Sequence, residues 1–287
     1  MKLGVNGASG KLGRAVLDNL AKSGGRHTVV GISRSPETIP SPAEGRRGDY
    51  DDPASLVSAY KGLDRLLLIP SADLRPGVRG GQLRAAIEAA KEARISHVVL
   101  MSAAGTREAP DTEVGGAYWA GEQHLIKTSP HWTILRMNYY AESMAEEIRM
   151  SLGMNVLTGL GDERVAYVSR DDLAAAAAGV LLGEGHAGAI YNGTGSAIVS
   201  GPEKAAIVSE ILGKSVSYAV ISEDQLRGAL SQAGLPPFVI DAVADIKRTF
   251  VQGDFDVLTS DIQRLSGCAA KSFRDVLAAA LSKGGRR

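Results

Sequence analysis

Gly4-Val5-Asn6-Gly7-Ala8-Ser9-Gly10-Lys11-Leu12-Gly13 is the stretch that decides the fold. Lys2–Val5 reads as a short buried strand, and three glycines follow it in the spacing G-x-x-G-x-x-G. Gly7 lets the chain turn sharply out of the strand. Gly10 lets backbone approach an anion, and Gly13 lets the next helix pack close to the strand. A helix starting near Lys11 aims its free N–H groups and its positive end at that anion. Strand, glycine turn and helix in this succession form a pyrophosphate cradle. Its candidate contacts are Gly7, Ser9, Gly10, Lys11 and Leu12.

Outward from the loop, short apolar runs alternate with amphipathic ones. Leu12–Ser23 reads as a helix ended by Gly24-Gly25, and Thr28–Ile32 as a second strand. Further strands are expected at Arg46–Asp49, Arg65–Ile69, His97–Met101 and Trp132–Arg136. Helices are expected at Pro53–Tyr60, with Asp51 or Asp52 as N-cap, at Gly81–Ala93 and around Gly121–Lys127. This βαβ rhythm predicts an α/β protein: a Rossmann-type, doubly wound parallel sheet with helices on both faces. The wholly apolar Leu66-Leu67-Leu68-Ile69 fits such a sheet, because both of its faces are covered.

The second half reads differently. A strand is expected at Arg164–Val168, then an alanine-rich helix capped by Ser169 and Asp172 and running to Leu182, then a strand at Ala189–Asn192 that rejoins the sheet. Mainly helical sequence follows. Ser200 with Glu203 and Ser222 with Gln225 cap two helices that end at Gly213 and Gly234, on either side of a strand at Ser217–Ile221. Pro236-Pro237 opens another helix, Ser272–Ser282 forms the last, and the Gly284–Arg287 tail is expected to fray. The division expected is a dinucleotide-binding domain over 1–150, completed by strands within 164–194, and a smaller, mainly helical substrate lobe over 195–287. Ligands belong in the cleft at the carboxyl ends of the strands.

Bulk properties narrow the function. Lysine plus arginine balance aspartate plus glutamate at 32 each, so the basic excess that grips a nucleic-acid backbone is missing. The single cysteine, Cys268, excludes an intrachain disulfide and a multi-cysteine metal site. His27, His97, His124, His131 and His186 are scattered without metal-ligand spacing, and no metal is expected. The chain starts directly in a strand with no secretory signal, and its most apolar run, Leu173–Leu182, is far short of the roughly 20 residues that cross a bilayer. These features predict a cytoplasmic protein with no membrane contact. The zero net charge leaves a homodimer open. No Gly-x-Ser-x-Gly motif supports a hydrolase.

The end of the second strand distinguishes the two nicotinamide cofactors. An NADH site usually offers an acid there for the ribose 2′-hydroxyl. This chain offers Ser33-Arg34-Ser35. Arg34 can hold a 2′-phosphate in a bidentate contact and stack on the adenine, with Lys11 nearby to add to it, so NADPH is the expected cofactor.

Gly7–Gly13, Ser33-Arg34-Ser35-Pro36, Gly48-Asp49-Tyr50, Leu66–Ser71 and Leu135-Arg136-Met137-Asn138-Tyr139-Tyr140-Ala141-Glu142 stand in the order seen in the NmrA-like atypical short-chain dehydrogenases. Ser169-Arg170-Asp171-Asp172-Leu173-Ala174 and Gly185-His186 extend the match. The chain resembles, within that family, the bacterial NADPH:quinone oxidoreductases and triphenylmethane reductases. The resemblance implies NADPH and a flat conjugated acceptor such as a quinone. It implies Asp49 and Tyr50 beside the adenine, and Ile69, Pro70 and Ser71 along the ribose and nicotinamide. It further implies Ser102, Ala103 and Ala104 beneath the nicotinamide, and Asn138 and Tyr139 at the substrate. Ordinary short-chain dehydrogenases use Tyr-x-x-x-Lys, whereas here Tyr118 is followed four residues later by Glu122. On one helix the two face the same way, and a carboxylate there would raise the tyrosine's pKa. Tyr118 is therefore expected either as an auxiliary catalytic group or as cleft wall, with Trp119 beside it on the substrate side. Two functions stand: hydride transfer to a quinone or related electrophile, or a non-catalytic NADP(H) redox sensor. Phe238, Phe250 and Phe255 either shape the acceptor pocket or belong to the core.

Overall fold

A computed structural model describes residues 1–24, 27–110, 113–151 and 153–282. Gly25 and the tail from Gly284 fall outside these. The elements are β1 (Lys2–Asn6), α1 (Lys11–Lys22), β2 (Thr28–Ser33), β3 (Glu44–Arg47), α2 (Pro53–Tyr60), β4 (Arg65–Leu68), α3 (Val78–Glu92), β5 (His97–Ala103), α4 (Val114–Thr128) and β6 (Trp132–Met137). They continue with α5 (Ala141–Ser151), β7 (Val156–Gly159), β8 (Arg164–Val165), α6 (Arg170–Leu182), β9 (Ala189–Gly193), β10 (Val199–Ser200), α7 (Gly201–Leu212), β11 (Ser217–Val220), α8 (Glu223–Gln232), α9 (Pro237–Gln252), α10 (Asp261–Ser266) and α11 (Phe273–Ser282).

Seven strands form one parallel sheet in the order β3-β2-β1-β4-β5-β6-β9. The order reverses between β1 and β4, and this switch point opens a crevice at the strand ends. Leu67 packs with Leu12, Val16 and Leu20 of α1 and the alanines of α6 on one face. Leu66 and Leu68 pack with Leu56, Leu83, Ile87 and Leu125 on the other. The alternation of side chains along a strand thus builds two cores, which explains the unbroken apolar run. A third core lies beyond the strand ends. It joins Met144, Ala145 and Ile148 of α5 to Leu157, Val165, Tyr167, Val208, Phe250, Phe255 and Phe273.

Local capping signals are realised. Asp52 caps α2, Ser169 caps α6, and the Ser200/Glu203 and Ser222/Gln225 pairs form full capping boxes. Elements decided by distant packing depart from the sequence reading. The strand expected at Arg164–Val168 shrinks to β8, which pairs antiparallel with β10 outside the main sheet. Ala166 instead bonds the Phe255 carbonyl and Val168 bonds that of Tyr139, because Val165 and Tyr167 face the third core. The third strand runs from Glu44 to Arg47 rather than to Asp49, because Ser55 Oγ takes the Asp49 N–H at 2.9 Å and turns the chain. Helix α5, strand β7 and helix α10 carry no local signal strong enough to be expected. Asp171 and Asp172, a carboxylate pair in sequence, sit in the first turn of α6 and tie down Lys271 at 2.9 and 2.7 Å.

Candidate active site

The dinucleotide cradle follows from the glycines. Gly7 adopts φ +82, a left-handed conformation that favours glycine. A Cβ on Gly13 would sit 2.3 Å from the Gly7 carbonyl oxygen and 2.7 Å from Ala8 Cα. Only a bare residue lets α1 lie this close to the loop. Helix α1 has no capping side chain and no acid in its first turn, so its leading N–H groups face the crevice free. Such a cradle fits a pyrophosphate. Leu12 is buried in the core, so it brings only backbone to the site.

At the end of β2, Ser33 Oγ bonds Ser9 Oγ at 2.9 Å and receives the Ser35 N–H at 3.1 Å, which ties this turn to the glycine loop. Arg34 between them is exposed, and no acceptor holds it among the described residues. Lys11 does not join it: its ammonium lies 3.2 Å from Glu146 on α5, a surface pair. Tyr50 donates to the Ile69 carbonyl at 2.6 Å, bracing the adenine side against the end of β4. Burial pushes the Tyr50 phenol well above its ordinary pKa and keeps it a donor. Ser71 Oγ donates to Gln82, whose amide reaches Asp51 at 2.9 Å.

Past the ends of β5 and β6 lies a cleft open to solvent. Ala103, Ala104, Met137, Tyr118, Tyr139, Tyr140 and Phe255 supply its apolar wall, with Arg79, Arg107 and Asp245 also lining it. Tyr118 is only 6 % exposed, and its hydroxyl has no partner among the described residues. Tyr140 stands beside it; burial first, and then the neighbouring Tyr118, raise the Tyr140 pKa. Tyr139 turns its hydroxyl away from the cleft to Glu147, which is ion-paired with Lys247 at 2.6 Å. Burial and Glu147 hold the Tyr139 phenol protonated, so it is wall rather than acid. Phe255 lines the cleft and Phe250 is core, while Phe238 is half-buried away from both.

Two expected placements change, those of Ser102 and Trp119, while Asn138 keeps its place with an added bond. Ser102 is fully buried, and its hydroxyl donates to Glu122 at 2.6 Å rather than facing the cleft. Asn138 borders the cleft, and its amide donates to the Phe255 carbonyl at 3.0 Å while its carbonyl receives the Tyr139 N–H at 2.8 Å. Trp119 is absent from the cleft wall, because successive helical residues point about 100° apart.

Glu122 is a further correction. Arg136 grips it through Nε at 2.9 Å and Nη2 at 2.6 Å, so its charge is met there and does not fall on Tyr118. This buried Ser102–Glu122–Arg136 unit, and the cleft residues Arg79 and Arg107, were not expected. Arg136 lies inside the Leu135–Glu142 motif, the one signal that pointed to it. His97, His131 and His186 do gather, but around a shallow cavity with Arg65 that excludes the crevice residues. His97 shares a hydrogen bond with Thr133 at 2.8 Å, and His186 with Tyr191 at 2.9 Å. Among the described residues no cluster has the makings of a metal site.

A glycine cradle at the switch point of a parallel sheet, with an aromatic cleft beside it, defines a dinucleotide-binding oxidoreductase of the Rossmann class. The NAD(P)H-binding family model matches residues 7–183, and the chain belongs to that family and has an NmrA-like fold. It is 33 % identical over 248 residues to quinone oxidoreductase 2 of Escherichia coli, covering 85 % of this chain and 86 % of the relative. The solved NADPH-dependent quinone oxidoreductase of Escherichia coli, complexed with NADPH, superposes with a TM-score of 0.89 at 29 % identity, over 97 % of this chain and 99 % of that one. Triphenylmethane reductase of Citrobacter sp., complexed with NADP(H), superposes with a TM-score of 0.88 at 27 % identity, over 97 % and 99 %. The protein is an NADPH-dependent oxidoreductase acting on a small-molecule acceptor. No described helix is long and apolar enough to cross a membrane.

Proposed function

We propose that the acceptor is a quinone or a similar conjugated electrophile, and that no tyrosine–lysine pair assists its reduction. The observation that carries this reading is the cleft itself. Aromatic and aliphatic side chains line it at the strand ends where the nicotinamide ring would lie, and they suit a flat apolar ring. Bound NADPH supplies the hydride. The loop and α1 hold its pyrophosphate, Arg34 its 2′-phosphate, and the segment around Ile69, Pro70 and Ser71 its ribose side. Asp49 and Tyr50 border its adenine, and the backbone of Ser102, Ala103 and Ala104 lies under its nicotinamide.

The protein's task is alignment and exclusion of water, since a quinone's reduced form is a stable phenolate that water can protonate. Tyr118 orients the acceptor through its free hydroxyl. The engagement of Glu122 by Arg136 supports this auxiliary role, because Tyr118 has neither a lysine nor a free carboxylate at its helical neighbour position. Residues from the 195–287 lobe, among them Asp245, Ile246, Thr249 and Phe255, close the cleft and set acceptor choice.

Steady-state oxidation of NADPH with a panel of quinones tests the proposal. Multiple turnover with at least one quinone is expected, and Tyr118→Phe is expected to lower kcat/KM by about tenfold. Tight NADPH binding with no turnover across the panel would refute the acceptor and favour a redox sensor.

A further inference from the structure

One cation in the cleft makes no ion pair among the described residues. Arg79 stands in the first turn of α3, only 8 % exposed, and lines the cleft opposite Ala103 and Ala104. Two contacts fix it. Its Nε donates to the Ser71 carbonyl at 3.1 Å, and its guanidinium lies 5.1 Å over the Tyr118 ring. Its Nη1 and Nη2 meet no protein acceptor among the described residues. The other cations of this region are neutralised. Arg107 pairs with Asp245 at 2.7 Å and Glu113 at 2.9 Å, and Lys247 pairs with Glu147 at 2.6 Å. Asp73 acts on Arg79 only through space, because its carboxylate is gripped by Arg75.

A buried guanidinium with no ion pair is costly, because it has given up water and gained no contact with an opposite charge. Its position on α3 adds to the cost. A cation in the first turn opposes the helix dipole, and α3 has no acid there and no capping side chain to offset it. One ligand relieves both penalties: an anionic oxygen placed between Arg79 and the cleft.

We propose that Arg79 is the oxyanion-binding residue of the acceptor cleft. Its two Nη atoms hold the acceptor oxygen that becomes negative when the hydride arrives. This rests on the quinone reading above. In that step the cofactor's C–H bond breaks, and one hydrogen with two electrons bonds to the quinone. The cofactor is oxidised, the quinone is reduced, and one negative charge settles on a quinone oxygen. Arg79 stabilises that phenolate until water protonates it. Tyr118, packed against the guanidinium, is the residue that keeps it aimed.

The test needs a readout independent of turnover. The probe is 4-nitrophenol, whose phenolate has its own visible absorbance, titrated against the wild-type protein saturated with NADP⁺. The bound phenol is expected to ionise about 1–2 pH units lower than the free one, the shift an adjacent cation produces. Arg79→Gln is expected to abolish that shift, and Arg79→Lys to restore part of it. NADPH affinity in both variants is expected within about threefold of wild type, which also reports an intact fold. Turnover with a reactive quinone is expected to fall about 100-fold in Arg79→Gln. An unshifted phenol, or no phenolate binding by the wild type, overturns the proposal. So does a large loss of NADPH affinity in Arg79→Gln with the phenol shift unchanged, which would assign Arg79 to the cofactor. Absence of quinone turnover in the wild type with the phenol shift present refutes the quinone acceptor alone and leaves the anion seat standing.

Discussion

Arg34→Ala removes a guanidinium that the fold does not use. The side chain is exposed and has no protein acceptor among the described residues, so stability is expected to change by less than about 0.5 kcal/mol. Its neighbours keep their places independently, since Ser33 and Ser9 bond each other at 2.9 Å and the Ser35 N–H closes on Ser33. What the variant is expected to lose is the proposed charge-assisted contact to the 2′-phosphate, worth roughly 1.5–3 kcal/mol. That converts to a dissociation constant for NADPH about 10- to 150-fold higher. Lys11 does not compensate, because its ammonium lies against Glu146. NADH lacks the phosphate, and its affinity is expected to stay within about twofold of wild type. The assay is a fluorescence titration of both nicotinamides against wild type and variant. A second series at high salt should shrink the difference, because an exposed pair is screened. A change in the NADPH-to-NADH ratio below about threefold refutes the reasoning. The phosphate would then be read elsewhere, and Arg34 would be a solvated loop cation.

Four further outcomes can be checked. Gly13→Ala places a methyl 2.3 Å from the Gly7 carbonyl, and NADPH affinity is expected to fall more than about tenfold. Gly81→Ala, a helical position with nothing within 4 Å of the new methyl, is expected to stabilise by about 0.5–1 kcal/mol in denaturant unfolding. Glu122→Gln leaves Arg136 without its charge partner and is expected to cost about 2–3 kcal/mol in the same assay, with NADPH affinity unchanged; a loss under 0.5 kcal/mol would show the unit is not structural. Acidification has a defined sign at His97. Burial first, and then Arg65, depress its pKa from 6.5 to about 4, so the fold favours the neutral ring. The unfolded chain therefore takes up a proton first, and stability is expected to fall as pH drops from about 6.5 to 4, by about 1–2 kcal/mol after solvent screening. A His97→Gln variant should lack that share of the decline in urea midpoints measured across this range.

How much of the site was legible depends on the distance over which each feature is determined. The glycine spacing, the lack of an acid after β2 and the capping pairs at Ser169, Ser200 and Ser222 all act within a few residues, so local chemistry exposes them. Tyr118 was legible as a cleft residue through the motif around it. The destination of Glu122 was not. Its partner Arg136 is 14 residues on, and the two meet because helix α4 packs over strands β5 and β6. The same holds for Ser102, whose hydroxyl belongs to that unit rather than to the cleft. Residues Ala166–Val168 read as strand by composition, yet the third core claims Val165 and Tyr167 and the first core claims Val168.

By itself, then, the sequence determined a parallel sheet whose first turn is built for a pyrophosphate, followed by a strand end suited to a 2′-phosphate. Those are properties of backbone freedom and residue type at fixed short spacing. Only the tertiary structure decided which charges are spent and which are free. Glu122, Arg107 and Lys247 meet opposite charges brought from other elements, while Arg79 is buried over Tyr118 with no ion pair among the described residues. A side chain's charge is written in the sequence, but its balance depends on which strands and helices lie side by side.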